Sequence, residues 1–438
     1  MNENLNLCID YIIRFLLRDE KGQYNKYISY GYKEEALIVI IPSDFFESSV
    51  YLTGKSFPSL PLTELRGIPV LFGKGKMLEE NGKIIIYADI IASTYFLISR
   101  YEECIKINDR DIHGRFLAKN SILYQTNNLN KCLVDEYGEL LRCLLREKGV
   151  NIESCKKAFS HVYLTHDVDN YRTWNSIYSA TRSAIKMVMT KQKNFMLPYK
   201  AFINYEKNDP IYTFPWLAEI DNDLKDKLSV ECKVIYFIMG AQERTKFDNG
   251  YAFNVRTTRK LIHSLKPISD IGYHVSYSAK DDLSRCGGEI KVVEELSGEN
   301  IKLSRNHYLA SKEPEDFEIL IENGITDDFT MGFADNVGFR LGTCRPVKWI
   351  NPITMKLTTL TLHPMTAMDA TLDGTHYMNI KEEDEAFLII RKLLEQVKRH
   401  NGEVVLLWHN PSVSLQANSY HRKLYSRVLG LLLQMEEE

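Results

Sequence analysis

In the stretch VYLTHDVDN, residues 162–170, an apolar run (Val162, Tyr163, Leu164) leads directly into Thr165, His166, Asp167 and Asp169. A run that is apolar on both faces reads as a strand of a parallel sheet, and in such sheets chemistry gathers where strands end. Asp167 and Asp169 are two apart, so along an extended chain both carboxylates leave the same face. Two like charges there repel unless one is protonated or a cation lies between them. The spacing suggests one general base and one metal ligand. An exposed turn or a helix-capping pair is the structural alternative.

Three other strand ends carry comparable residues. His274, in DIGYHVSYS (270–278), precedes Ser276, Tyr277 and Ser278, and reads equally as a ligand or a core histidine. In SRNHYL (304–309), Arg305 suits a carboxylate partner or an anionic group, while His307 suits a metal or a loop hydrogen bond. VVLLWHN (404–410) ends in His409, a candidate general acid, beside Trp408, whose indole would stack on a sugar face. Asp335 and Arg340, in DDFTMGFADNVGFRLGTCRP (327–346), are candidates for a structural or orienting ion pair. His363 and Asp369, in LHPMTAMDATL (362–372), could support the site, with Asp369 behind a first-rank residue. For these four a structural role is favoured.

These residues need a scaffold, and the hydrophobic pattern describes one. From about residue 158 onward apolar runs alternate with helical stretches, which implies βα units and a mainly parallel sheet. Strands are expected at 161–166, 233–239, 269–275, 301–304 and 404–409, with helices at 257–266, 289–298 and 382–400. Before residue 150, strands are expected at 36–43, 67–76 and 83–90, with helices at the start of the chain, at 92–103 and at 135–149. The Gly-Lys-Gly-Lys at 73–76 lacks the full phosphate-loop pattern and reads as a hairpin turn. The basic, Met-containing stretch SATRSAIKMVMTKQKNF (179–195) reads as a solvated helix or domain contact, with a membrane-surface role as the lesser alternative.

Composition narrows the classes. The 438 residues carry a net charge of −3, so nothing favours a nucleic-acid partner. Eight scattered cysteines form no C-x-x-C pair, which argues against a zinc ribbon and suggests reduced thiols in the cytoplasm. The N-terminal stretch lacks the basic region of a signal peptide, and no apolar run approaches the roughly 18 residues of a membrane span.

Taken in order, THDVD, IGYHVSYS, SRNHY and LLWH resemble the polysaccharide deacetylase family (carbohydrate esterase family 4, the NodB-homology fold). The longer stretches SRYEE, DIHGRF, GFADNVGFRLGTC and MDATL resemble an uncharacterised branch of it with an extra N-terminal domain. The resemblance implies an α/β protein: an N-terminal α/β domain over 1–152, then a distorted parallel (β/α)7-type barrel over 153–438. It implies one divalent ion, zinc first, with cobalt or nickel as alternatives, and a carbohydrate substrate. The reaction would be metal-assisted hydrolysis of an N-acetyl amide. Asp167 would be the base, Arg305 its orienting partner, and His409 the acid. Asp169 and His274 would bind metal, with the backbone N–H near Tyr308 at the oxyanion. Trp408, Tyr308 and Tyr277 would line an aromatic cleft. One departure is plain: the second histidine of the family's H-x-x-x-H falls on Ser278, a poor ligand. Three readings stay open. His307 completes an Asp169–His274–His307 triad, or two protein ligands hold a weaker ion, or the site binds glycan without metal or turnover. Oligomeric state is not legible.

Overall fold

The computed structural model describes residues 3–241, 245–248, 255–312, 315–417 and 419–437. The chain opens with helix α1 (Glu3–Leu17), whose Leu5, Cys8, Ile9, Ile12 and Leu16 recur at helical spacing and are buried. The short strands β1 (Ile28–Tyr30) and β2 (Ile38–Ile40) follow, then a small hairpin, β3 (Thr63–Leu65) with β4 (Ile68–Val70). A longer hairpin joins β5 (Gly73–Glu80) to β6 (Lys83–Ala88). The first sheet has the order β1-β2-β6-β5, with β5 antiparallel at its edge. The Gly-Lys-Gly-Lys run lies on exposed β5, where the register shifts between Gly73 and Met77; the turn itself comes at Asn81 and Gly82. The helix expected over 92–103 is two, α2 (Ile90–Ile98) and α3 (Tyr101–Ile105), because buried Arg100 takes a left-handed conformation (φ 61°) between them. Helices α4 (Ile122–Gln125) and α5 (Leu133–Glu147) complete this part.

The second sheet is a curled half-barrel. Its strands are β7 (His161–Val168), β8 (Cys232–Met239), β9 (Asp270–Val275), β10 (Leu303–Asn306), β11 (Asp327–Asp328), β12 (Val347–Asn351), β13 (Lys356–Leu362), β14 (Ala367–Met368) and β15 (Glu403–Leu407). Their order is β12-β13-β11-β10-β9-β8-β7-β15-β14, parallel throughout except for β12. Nine strands replace the expected seven: β11 and β14 are two residues each, and β12 is added by a hairpin onto the edge. No helix among the described residues is long and apolar enough to cross a membrane.

Side-chain alternation sorts each strand into two faces. Val162, Leu164, Val168, Val234, Tyr236 and Ile238 join the large core under the surrounding helices. Tyr163, Ile235, Phe237, Leu303, Phe329 and Val405 fill the barrel interior instead. Asp167 and Asp169 share the inward parity of Tyr163. One cluster of buried apolar side chains runs from Leu5 to Met435, through both sheets.

The seam of the half-barrel is crossed by residues 363–366. His363 N–H donates to Asp328 O at 2.9 Å, and Thr366 N–H to Val405 O at 2.8 Å. The buried His363 ring bridges Asp327 (3.1 Å) and Glu403 (2.8 Å) and stacks on Phe329 at 4.3 Å. Its role is structural, far from the aspartate pair in register. Burial pulls the His363 pKa down, but Glu403 and Asp327 outweigh it and raise it to about 9. A histidine with a raised folded pKa stabilises fully below its unfolded pKa of about 6.5 and ceases to do so as pH rises through the folded value. Denaturant unfolding should therefore show stability falling between pH 6.5 and pH 9 by on the order of 3 kcal/mol from this group. The His363→Gln variant should be less stable at pH 6.5 and show a flatter slope across that interval.

Candidate metal centre and active site

The residues singled out in the sequence converge at the carboxyl ends of β7, β9, β10 and β15. Asp167 lies within β7, which runs two residues further than expected, and Asp169 follows just beyond it. Their environments differ. Asp167 is buried and accepts from Arg305 Nη1 at 3.0 Å. Asp169 is about one-third exposed and faces two imidazoles, His274 Nε2 at 3.0 Å and His307 Nε2 at 3.6 Å from its Oδ1. Paired carboxylates thus divide into one fixed by a guanidinium and one gathered with histidines.

Asp169, His274 and His307 each offer one ligand atom, and all three atoms lie within 4.8 Å of one another. In both rings the other nitrogen is engaged. His274 Nδ1–H donates to Arg305 O at 3.0 Å, and His307 Nδ1–H to the buried Asp248 at 2.9 Å. Both Nε2 atoms are thereby left facing the carboxylate, the arrangement by which outer partners orient metal-binding histidines. Two imidazoles and a carboxylate suit zinc, cobalt or nickel, and leave positions for water or substrate. Ser278 stands outside this set: its hydroxyl meets Ser276 Oγ at 3.1 Å and Arg285 Nη1 at 3.4 Å. Of the three readings of the histidine departure, the geometry matches the His307 triad.

His409, two residues beyond β15, completes the cluster. Its Nδ1–H donates to Asp369 at 2.7 Å, while Nε2 stands 4.0 Å from Asp167 Oδ2 and 3.8 Å from Asp169 Oδ2. Asp369 also accepts the His409 amide at 2.8 Å and the Ser412 hydroxyl. Burial opposes charge on His409, yet Asp369, then Asp169 and Asp167, raise its pKa to about 10. His409's charge in turn holds Asp369 down to about 2 against burial. Burial also opposes charge on Asp169, but His307, His274 and His409 hold its carboxyl well below the usual carboxylate range. Histidine protons balance the carboxylates here. A divalent cation would displace the one on His274, since ligation needs neutral imidazole.

Arg305 is wholly buried. It donates to Phe329 O (3.0 Å), Thr165 Oγ1 (2.8 Å) and Asp167 (3.0 Å), and lies over the Phe237 ring at 4.5 Å.

Two expectations are corrected. Trp408 does not line the cleft: it is 0% exposed and packs on Tyr425 at 5.1 Å, because alternation turns it outward where Leu407 and His409 point in. His166, of the same outward parity, bonds Asp221 at 2.8 Å behind the sheet. Arg340 pairs with Glu103 (2.8 Å) on α3, while Asp335 accepts the Ala118 amide (2.8 Å), so both join the barrel to the N-terminal segment.

Tyr277 and Tyr308 stand at the rim with Phe247, Tyr277 to Phe247 at 4.2 Å and Tyr308 to His307 at 4.3 Å. The rim also holds residues of the DIHGRF stretch. His113 stacks on Tyr308 (4.8 Å, 18°), and Arg115, paired with Asp111, donates to Tyr308 O at 3.1 Å and Tyr377 Oη at 3.1 Å. Among the described residues, His113 Nδ1 is buried without a hydrogen-bond partner. Asp248 was also missed, and it sits in a stretch with no strand or helix pattern to point to it. A second cluster, Cys132, Asp135 and Cys344, is buried between α5 and the 342–346 loop. Its carboxylate is already taken by Arg345, Thr343 and the Cys344 amide, so it reads as an interface.

Residues 7–150 match a family of unknown function, DUF7033. Among curated proteins no sequence matches the chain. Among solved structures the chain is similar to a protein from Mycobacterium smegmatis assigned as a polysaccharide deacetylase, at 15% identity and a TM-score of 0.41, over 66% of this chain and 87% of that one. It is also similar to one from Bordetella bronchiseptica assigned as a deacetylase of O-antigen biosynthesis (13%, TM-score 0.29, 63% and 84%). A third is Puue allantoinase (13%, TM-score 0.38, 63% and 84%). The chain is distantly similar to these proteins over about two-thirds of its length, and likeness at this level assigns no activity.

Metal analysis by mass spectrometry should find close to one divalent ion per chain after incubation with zinc. His274→Ala and His307→Ala should each lose it, while Ser278→Ala retains it. Asp248→Asn should weaken affinity about ten- to a hundredfold through His307. Metal retained in full by His307→Ala would remove that residue from the ligand set.

Proposed function

We propose that this site hydrolyses a C–N bond of an amide, with the N-acetyl group of an amino sugar in glycan or surface-polysaccharide metabolism as the favoured substrate. One observation carries the reading. Two carboxylates at the end of one strand, differently partnered, face an imidazole that a buried carboxylate, Asp369, orients at 2.7 Å.

Asp167 is the base. Arg305 and its anchors fix the orientation of the carboxylate that takes a proton from water. His409 is the acid, with Nε2 directed at the same space and Asp369 sustaining its charge until the proton passes to the leaving amine. Asp169, His274 and His307 would hold the divalent ion, which when bound supplies Lewis-acid polarisation of the acyl oxygen and of the attacking water. Tyr308 and Leu309 are both in left-handed conformations (φ 61° and 53°), a backbone turn beside the cluster that suits the oxyanion position. Tyr277, Tyr308 and His113 form the wall against which a sugar ring would lie. The alternative, a glycan-binding protein without turnover, rests on Ser278 alone.

Acetate release from N-acetylated chito-oligosaccharides, alongside a panel of small amides, tests the reading. Asp167→Asn and His409→Gln should each lower kcat about a hundred- to ten-thousandfold while Asp167→Asn keeps ligand affinity. No release from any amide by the zinc-loaded parent, with sugar binding intact, would favour the alternative. His113→Ala should raise KM with kcat and metal content unchanged; an unaltered KM would remove it from the substrate wall.

A further inference from the structure

The excursion between β7 and β8 has its apolar side on the outside. It contains helices α6 (Ile177–Met189) and α7 (Leu197–Ile203), packed on each other around Trp174, Ala180 and Ala201. The buried face of α6 is made of Ala180 and Ala184. Its larger apolar residues, Ile177, Tyr178, Ile185, Val188 and Met189, recur at helical spacing on the adjoining face and are all exposed, Met189 by 78%. Phe195, Met196 and Ile203 extend the patch through the turn and α7, Ile203 by 82%. A surface helix ordinarily turns its large apolar side chains to the core, and a contiguous exposed patch marks something that covers it.

Charge indicates what that is. Arg182, Lys186, Lys191, Lys193 and Lys200 lie in the same stretch, and residues 176–205 contain no Asp or Glu, in a chain whose net charge is −3. Among the described residues none of these five cations forms an ion pair. On α6, Arg182 and Lys186 follow one edge of the apolar stripe. An apolar arc bordered by unopposed cations is the pattern of a helix lying in the interface of an anionic bilayer.

The hairpin stands beside the site. Asp209 closes its base by accepting the Thr173 amide at 2.7 Å and hydroxyl at 2.8 Å. Asn410, next to His409, donates to Asn170 O (3.0 Å) and Ile211 O (2.7 Å), one on each side of the excursion.

We propose that the α6–α7 hairpin docks this protein on anionic phospholipid at the end of the barrel that carries the Asp/His cluster. If the proposed hydrolase reading holds, on which this last step rests, the substrate is amphiphilic, its amide-bearing head group presented from the bilayer surface. The sequence pointed more strongly to a solvated helix or domain contact. The burial pattern reverses that preference, because the stripe is solvated on its apolar side.

Flotation of the full chain with phosphatidylglycerol–phosphatidylcholine vesicles, and with phosphatidylcholine alone, tests the docking. The parent should partition at least tenfold more strongly onto the anionic vesicles, and less so as salt is raised. The double variant V188D/M189D should no longer float. R182Q/K186Q should weaken binding about thirtyfold. All four side chains are exposed, and circular dichroism and metal content should match the parent. Failure of the parent to float, or equal binding by the variants, overturns the proposal. So does parent self-association abolished by V188D/M189D without vesicle binding, which would assign the face to a second copy. Acetate release from a soluble chito-oligosaccharide, measured in parallel, is unaffected by these variants, so loss of docking and failure of the hydrolase reading are separate results.

Discussion

A guanidinium cut off from water must have its charge met where it lies, and Arg305 meets that demand by joining four elements of the barrel through Nε and Nη1, while its buried Nη2 has no hydrogen-bond partner among the described residues. From β10 it reaches Thr165 and Asp167 on β7 and the carbonyl of Phe329 beyond β11, while its own carbonyl accepts His274 of β9. One residue therefore sets the carboxylate proposed as base and the tautomer of a proposed metal ligand. The space for it is prepared from the neighbouring strand. Gly272 has the inward parity of His274, and a Cβ there would come within 2.5 Å of the Phe237 ring on which the guanidinium rests. Breaking such a buried pair by removing one partner costs about 3–5 kcal/mol, so the geometry is held stiffly.

The polarity of Asp369 has a similar logic at the other side of the cluster. It is buried, accepts two N–H groups and a hydroxyl in the vicinity of His409, and so keeps both its own charge and that of the imidazole. The proposed metal ligands, base and acid are each backed by a buried polar partner. Asp248, Arg305 and Asp369 are those partners, and none is in the first contact with the space between.

Much of this was legible in the sequence because strand ends announce themselves. Apolar runs followed by Asp, His or Arg located β7, β9, β10 and β15, and the i, i+2 relation correctly put Asp167 and Asp169 on one face. The same relation, applied along VVLLWHN, separates His409 from Trp408, and without it the indole was misplaced into the cleft. Asp248 was not legible, since its contact to His307 spans 59 positions and its neighbours form no periodic pattern. The partners of the GFRLGTCRP stretch lie more than 200 positions away, Glu103 for Arg340 and Asp135 for Arg345. Long-range pairing of buried charges leaves no local signature. Residue composition told of the charges, not of their opposite numbers.

The Arg115 contact to the Tyr308 carbonyl has a consequence of stoichiometry. Part of the rim of the cluster is supplied by a segment that precedes the barrel in the chain by some fifty residues and has a sheet of its own. Were that segment a separate polypeptide, every copy of the barrel would depend on the concentration and affinity of a partner to finish its mouth. Carried on the same chain, it arrives in a fixed ratio of one to one, at an effective concentration set by the connection rather than by expression.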